Sequence, residues 1–382
     1  MKHKPRLVIS TDGYLPRWDG ISRFLSEVIP HLKQLFDITV IAPNFEGTAP
    51  DIPGVKVVRL PLMPFKFGDI HFSRFKRSLV REALKDADFV FNQSIAPIGW
   101  MTINEASKRG IPVISFIHSI DWELASKSIK RGRRISTFIV KRIARGLYNK
   151  CALLLVPGQD VATLLQNAGI TVKMQRVTVG VDAEHFTPAR SKPRAKRLVG
   201  LDPDVMVIGF VGRIAREKDL PTLQDAFDEV RKKHPNTLLL VVGDGLRKEL
   251  RPDTNVKITG MVDDVVPYLQ AMDIYVLPSL TETSSLSTME AMACALPVLV
   301  TPVGNIPSYL KHEKNGWFFS RHDVEDLTKK LNYLLEKPEL RGKLGFAARQ
   351  TMTRHFTWGR TAEKIQELLL STHPTVSTSR KR

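Results

Sequence analysis

Short apolar runs rich in β-branched residues alternate along the first half of the chain with longer stretches of helical spacing. The runs Arg6–Ser10, Ile38–Ile41, Val55–Leu60, Phe89–Asn92, Val113–His118 and Leu153–Val156 predict strands. Phe24, Leu25, Val28, Ile29 and Leu32 recur at spacings of three and four, which predicts a helix over Ser22–Leu35. Strands that alternate with helices imply a parallel, doubly wound sheet.

The pattern then breaks and restarts. Residues Thr187–Pro203 hold three prolines and five Lys/Arg with little apolar content, as an interdomain linker would. A second series of strands follows at Val207–Val211, Leu238–Val242, Val256–Ile258, Ile274–Leu277 and Val298–Thr301, with helices over Thr222–Lys233 and Ser287–Ala293. Residues 360–370 read as a last helix, and Ser371–Arg382 as a polar, basic, disordered tail. The expected fold class is therefore α/β, two Rossmann-like domains with a deep cleft between the carboxyl ends of their sheets. The expected divisions are residues 1–186, a linker at 187–203, a second domain at 204–358, a helix at 359–370 packing back on the first domain, and the tail 371–382. A chain of 382 residues exceeds what one core usually serves, which agrees.

Composition changes the picture in three places. Cys151 and Cys294 stand alone in apolar stretches, so they read as small buried hydrophobes that suit a reducing cytosol. The apolar run Leu7-Val8-Ile9 is too short for a signal peptide, and no run approaches the roughly 20 residues that span a bilayer. The expectation is a cytoplasmic protein, free or peripheral on the membrane face. The net charge is +18, of which +12 falls in residues 1–190, and this implies an anionic partner. Architecture of this kind would equally suit a sugar-nucleotide epimerase or a phosphorylase, so function must come from the site.

Three segments carry chemistry. Gly20 stands just before a helix, where free backbone N–H groups favour a pyrophosphate, or where a glycine simply caps the helix. It is no Gly-x-Gly-x-x-Gly fingerprint, which speaks against a nicotinamide dehydrogenase. Gly212-Arg213, with Lys218 in the loop that follows, places two cations beside a helix start; they suit a diphosphate leaving group or form a solvated charged loop. The third segment runs from Pro278 through Glu282, Thr283, Ser284, Ser285 and Leu286 to Glu290. Its carboxylates, eight apart across a strand–turn–helix junction, can hold two sets of sugar hydroxyls with main-chain donors between them, or Glu290 can simply favour the helix dipole.

This last segment resembles the E-x7-E signature of family 4 glycosyltransferases. Gly20-Ile21-Ser22-Arg23, the junction Val179-Gly180-Val181-Asp182 with Phe186 four residues on, Gly212-Arg213 with Lys218, Val242-Gly243-Asp244-Gly245, Val303-Gly304 and Phe356-Thr357-Trp358 follow in the family's order. The resemblance implies the two-domain GT-B fold and retaining hexosyl transfer from a UDP- or GDP-sugar, the nucleotide sugar being substrate, with no cofactor and no metal. It implies that Arg213 and Lys218 bind the diphosphate, Glu290 the ribose and Glu282 the transferred sugar, and that His118 lies beside that sugar. Gly20, Gly212 and Thr283–Leu286 would complete the donor site. Where many members have Glu-Gly-Phe-Gly, this chain has Glu282-Thr283-Ser284-Ser285. Asp86-Ala87-Asp88 has the form of a metal-binding motif but reads as a solvated turn.

The acceptor is read from charge. Residues 127–150 contain nine Lys/Arg and no acid. At helical spacing Ile135, Phe138, Ile139, Ile143 and Leu147 share one face, with Arg134, Lys141 and Arg145 on another. The segment is expected either to dock on anionic lipid or to pack its stripe on the sheet. A lipid or polyprenyl-phosphate acceptor follows from the first. Lys66, Arg74, Lys76, Arg77 and Arg81 add a second basic segment. Nucleic acid is not expected, because no reading motif or aromatic–basic interleaving is present, though a basic binding protein without catalysis remains the alternative outside enzymes.

Overall fold

The computed structural model describes residues 4–17, 19–48, 52–67, 70–123 and 133–372. Within residues 127–150 and the tail 371–382, residues 127–132 and 373–382 lie outside that set. The chain divides into two units, Met1–Thr178 with Trp358–Arg382, and Val179–Thr357.

The first unit runs β1 (Arg6–Ser10), α1 (Gly20–Leu32), β2 (Asp37–Pro43), β3 (Val55–Leu60), β4 (Leu62–Phe67), β5 (Ile70–Ser73), α2 (Arg77–Ala83), β6 (Phe89–Asn92), α3 (Pro97–Lys108), β7 (Val113–Phe116), α4 (Arg133–Tyr148), β8 (Leu153–Val156), α5 (Gln159–Asn167) and β9 (Met174–Arg176). Seven strands form a parallel sheet in the order β3-β2-β1-β6-β7-β8-β9, and β4 and β5 make a separate antiparallel hairpin. Strands β6, β7 and β8 are buried at every residue, as a parallel sheet covered on both faces requires.

The second unit runs α6 (Lys192–Leu198), β10 (Met206–Val211), α7 (Leu220–Arg231), β11 (Thr237–Val242), β12 (Val256–Ile258), α8 (Val266–Ala271), β13 (Ile274–Leu277), α9 (Leu286–Ala293), β14 (Val298–Val300), α10 (Ile306–Tyr309), β15 (Trp317–Phe318), α11 (Val324–Glu336) and α12 (Pro338–His355). Its six-stranded parallel sheet has the order β12-β11-β10-β13-β14-β15. Helix α13 (Trp358–Ser371) returns to the first unit, where Trp358 meets the Phe24 ring edge-on at 6.0 Å and Gln366 Nε2 donates to His31 O at 3.0 Å.

Boundaries differ from the sequence expectation. The first unit ends at Thr178 rather than at residue 186, and the expected linker 187–203 lies inside the second unit with a helix of its own. Its basic residues are the reason. Lys196 Nζ, 5% exposed, pairs with Asp273 at 2.8 Å and donates to Val205 O at 2.7 Å. Lys192 Nζ donates to Gln270 O at 3.1 Å, and burial lowers its pKa to about 8. Two of the charges that suggested a linker are thus anchors for α6, Lys196 buried and Lys192 half-buried. Cys151 and Cys294 are buried free thiols whose pKa burial pushes up to about 12.

Candidate functional site

Open α/β sheets bind ligands beyond the carboxyl ends of their strands, where strand order reverses. In the first unit the reversal lies between β1 and β6, and the loops after β1, β6 and β7 surround a cavity of about 220 Å³. Arg17, His71, Gln93, His118 and Asp121 line it. His118 is held between the rings of Phe24 and Phe116, at 4.9 and 4.6 Å, and its Nε2 bonds Gln93 Oε1 at 2.9 Å. Burial lowers its pKa to about 3, so the imidazole is neutral at physiological pH and offers hydrogen bonding rather than charge.

The start of α1 is closed from within. Asp19 Oδ1 accepts from Ile21 N at 3.0 Å and Ser22 N at 2.9 Å, while Ser22 Oγ accepts from Asp19 N at 2.8 Å, a reciprocal cap. The carboxylate therefore occupies amides that could otherwise meet a pyrophosphate beside Gly20, and the capping alternative describes this helix start. A Cβ at Gly20 would meet nothing within 4 Å, whereas one at Gly13 would lie 2.8 Å from Asp19 Oδ2. Asp12, also in this turn, is saturated. It accepts from Ser94 Oγ at 2.6 Å, Ile98 N at 3.1 Å and Gly99 N at 3.2 Å, which fastens the turn to the start of α3.

In the second unit the order reverses between β10 and β13, and the loops that follow them carry the expected donor residues. Lys218 Nζ and Glu282 Oε1 form an ion pair at 2.5 Å, with side chains 18% and 11% exposed. Ser279 Oγ donates to the same carboxylate oxygen at 2.8 Å. Leu280 N donates to Glu217 O at 2.8 Å and so stitches the two loops together. Arg213 reaches Glu217 at 2.5 Å but stays 64% exposed. Gly212 lies under the next loop, where a Cβ on Gly243 (φ +141°) would sit 2.0 Å from Gly212 O.

The turn Thr283–Ser285 is fixed from below, because Asn305 N donates to Thr283 O at 2.9 Å and Tyr309 Oη to Ser284 O at 2.9 Å. Ser285 has φ +50°, the left-handed conformation that glycine adopts more easily, and its Oγ lies 2.8 Å from Thr288 Oγ1. The backbone thus keeps a bend suited to the glycine that many family 4 members have there. No side chain caps α9, which Leu286 begins, and Glu290 is buried inside the helix. Uncapped amides at a helix start are donors for an anion.

Helix α4 divides the apolar residues of the basic segment. Leu147 is buried beside Ala144 and Tyr148, but Ile135, Phe138, Ile139 and Ile143 are 68%, 67%, 50% and 42% exposed. Of the five residues read as one face, which was expected either to dock on lipid or to pack on the sheet, Leu147 points in and four point outward. Arg134, Arg142 and Arg145 are exposed with them, whereas Lys141 is half-buried with its Nζ 5.9 Å over the Trp122 ring. In the second basic segment Arg77 lies over Trp100 at 5.4 Å and Arg81 pairs with Glu105 at 3.0 Å.

Asp86 pairs with the Arg6 guanidinium at 2.9 Å, and Asp88 accepts from Arg6 N at 2.7 Å, at the amino ends of β1 and β6 and away from the cavity. Among the described residues no group of three or more His, Cys, Asp or Glu could hold a metal ion. Sequence reasoning missed Arg17, His71, Gln93, Asp121 and Tyr148. Of these only Asp121 carried a signal, standing three residues after His118.

Comparison with known proteins follows this geometry. Residues 18–185 match the family model described as Glycosyltransferase Family 4, and residues 191–351 match the model Glycosyl transferases group 1. The chain is 27% identical to the Sulfoquinovosyl transferase SQD2 of Arabidopsis thaliana, over 91% of this chain and 69% of that one. It is 25% identical to the Alpha-monoglucosyldiacylglycerol synthase of Acholeplasma laidlawii, over 89% and 90%. Among solved structures, the sucrose-phosphate synthase of Thermosynechococcus elongatus shares the fold, with a TM-score of 0.79 at 18% identity over 96% of this chain and 98% of that one.

Proposed function

This chain belongs to glycosyltransferase family 4, and we propose on that premise that it moves a hexose, with retention of configuration, from a nucleotide-diphosphate sugar to a lipid acceptor at an anionic membrane surface. The observation that carries the lipid part is the outward stripe of α4, four large apolar side chains flanked by exposed arginines in the unit that holds His118. Isolated exposed hydrophobes need no explanation, but an apolar helix face rimmed by cations suits the boundary between headgroups and acyl chains. No described helix is long and apolar enough to cross a membrane, so the attachment proposed is peripheral. The Acholeplasma relative, named for making a glucosylated diacylglycerol, supports the same acceptor class.

In the reaction proposed, the bond from the anomeric carbon to the β-phosphate oxygen breaks while the acceptor oxygen bonds that carbon on the same face. The acceptor's proton passes to the departing phosphate oxygen. Arg213, Lys218 and the amides at the start of α9 meet the charge that grows on the diphosphate, and Glu282 and Glu290 hold sugar and ribose hydroxyls. Lys218 and Glu282, paired with each other here, would both turn to the donor.

The test is incubation with radiolabelled UDP- and GDP-hexoses and vesicles of phosphatidylglycerol carrying diacylglycerol, phosphatidylinositol or polyprenyl phosphate. Label in lipid supports the reading. Donor sugar interconverted without transfer would point to an epimerase, and an inert donor to a binding protein. Glu282→Ala and Glu290→Ala should each cost about ten- to a hundredfold in kcat/KM for the donor, since each loses a hydrogen bond to a charged group; full activity in both would remove them from the site. Two cations already serve the leaving group, so excess chelator should leave the rate within about twofold. Loss of activity, restored by magnesium or manganese, would overturn that expectation.

A further inference from the structure

One carboxylate in the cavity of the first unit has no part in donor chemistry. Asp121 lines that cavity three residues beyond His118, and its Oδ2 accepts from the Tyr148 hydroxyl at 2.6 Å. Among the described residues Tyr148 supplies its only side-chain hydrogen bond, whereas Asp12 is saturated and Gln93 is engaged with His118. The Asp121 backbone N–H is the other donor, and since an ionised carboxylate has about four lone-pair positions, about half of the accepting capacity of Asp121 is unspent. Tyr148 is 2% exposed in the same core as Ile120 and Trp122, and it sits on the last turn of α4. Lys141 of α4, over the Trp122 ring, ties the same segment to the same helix a second time.

We propose that Asp121 receives a hydroxyl of the acceptor's polar headgroup in this cavity, and that Tyr148 is the positioning residue that holds its carboxylate, so that acceptor reading is tied to α4. The proposal rests on the lipid glycosyltransferase reading above. A buried acceptor of this kind discriminates strongly, because an analogue lacking the hydroxyl would leave the carboxylate without its partner. It also titrates in a useful range. Burial raises the Asp121 carboxyl to about 6, with the Tyr148 hydrogen bond pulling it back. Burial and the neighbouring carboxylate push the Tyr148 phenol well above 10, so it remains a donor. Asp12, Arg17, Asp19, His71 and His118 face the same cavity; outside it, Lys141 of α4 lies over the ring of the adjacent Trp122, and Glu123 stands two positions along the chain. Removing the Tyr148 hydroxyl takes away a bond that favours the charged form, and the Asp121 titration should then move upward.

The test uses the full-length chain with phosphatidylinositol in phosphatidylglycerol vesicles as acceptor, whose headgroup carries hydroxyls besides the one that attacks. Asp121→Ala should lower kcat/KM for the acceptor roughly ten- to a hundredfold while donor KM stays within about twofold. Below pH about 6 the wild type should lose acceptor kcat/KM as Asp121 protonates. Asp121→Asn should abolish that limb, and Tyr148→Phe should shift it to higher pH. An Asp121→Ala enzyme with unchanged acceptor kinetics, or a limb that survives Asp121→Asn, overturns the proposal. A Tyr148→Phe enzyme that melts earlier but keeps the limb in place overturns the role of Tyr148. If the wild type binds nucleotide sugar yet labels no lipid, the lipid reading has failed, and the cavity is then probed with myo-inositol by saturation-transfer NMR. Contacts present in the wild type and lost in Asp121→Ala support the site. Contacts retained in the variant, or absent from both, overturn it.

Discussion

Replacing Arg213 by alanine should lower kcat by about two to three orders of magnitude while melting temperature barely moves. The two halves of that expectation have different sources. Arg213 is 64% exposed and its partner Glu217 is 28% exposed, and such surface pairs contribute little to folding. The role proposed for it is to meet charge that increases as the glycosyl–phosphate bond breaks, so its loss should appear in kcat more than in KM. Lys218 is a different case although the same phosphates are proposed as its partner. Its ammonium pairs with Glu282 at 2.5 Å with little solvent contact, and Lys218→Ala would leave that carboxylate shielded from water without a cation. Breaking a buried pair by removing one partner costs about 3–5 kcal/mol. Lys218→Ala should therefore lose stability as well as activity, and steady-state kinetics at several temperatures, set beside a melting curve, will separate the two variants. An Arg213→Ala enzyme that changes KM alone would mean the residue binds the donor without stabilising the transition state.

Alternation of apolar runs and helical spacing made the two parallel sheets legible, because their central strands are buried on both faces and read as unbroken apolar stretches. Other features depend on partners far along the chain. The β4–β5 hairpin escaped because Pro64 interrupts its first strand and argues against a central strand. The charges at Lys192 and Lys196 suggested a linker because Asp273 and the carbonyls of Val205 and Gln270 are 9 to 78 positions away, and sequence spacing gives no sign of them. Glu282 and Glu290 could be picked out together, since only a turn and the start of a helix separate them, a fixed local geometry. The pairing of Glu282 with Lys218, 64 positions apart, could not. Asp19 has a local explanation that was readable in principle: an acid three residues before Ser22 at a helix start is the form of a reciprocal cap. At α4 the periodicity placed four of the five stripe residues on one side of a helix, but it carried no information on which side met the sheet. Val140, Ala144, Leu147 and Tyr148 are the smaller set of apolar positions, and they took the inward face.

That outward face leads to the second large effect. Changing Ile135, Phe138 and Ile139 together to asparagine should weaken binding to anionic vesicles by about a thousandfold. Full burial of one such side chain is favourable by about 1.5–3 kcal/mol, so three of them inserted partway supply about 4 kcal/mol, and each 1.4 kcal/mol is a factor of ten. Neutralising Arg134, Arg142 and Arg145 should remove up to about 3 kcal/mol, near 1 kcal/mol apiece. Lys141 is left out of that set because its charge rests on the Trp122 ring inside the unit. The two contributions separate in salt. Raising ionic strength from 0.1 to 1 M shortens the Debye length from about 10 to about 3 Å and should erase most of the arginine share, while the apolar share persists. Residual binding of the wild type at 1 M salt, absent from the asparagine variant, is the expected cosedimentation result. Both variants should melt close to the wild type, since the side chains replaced are already in solvent in the folded protein. Vesicle binding unchanged in the asparagine variant would refute insertion, and a variant that unfolds would show that the stripe is packed against the protein itself.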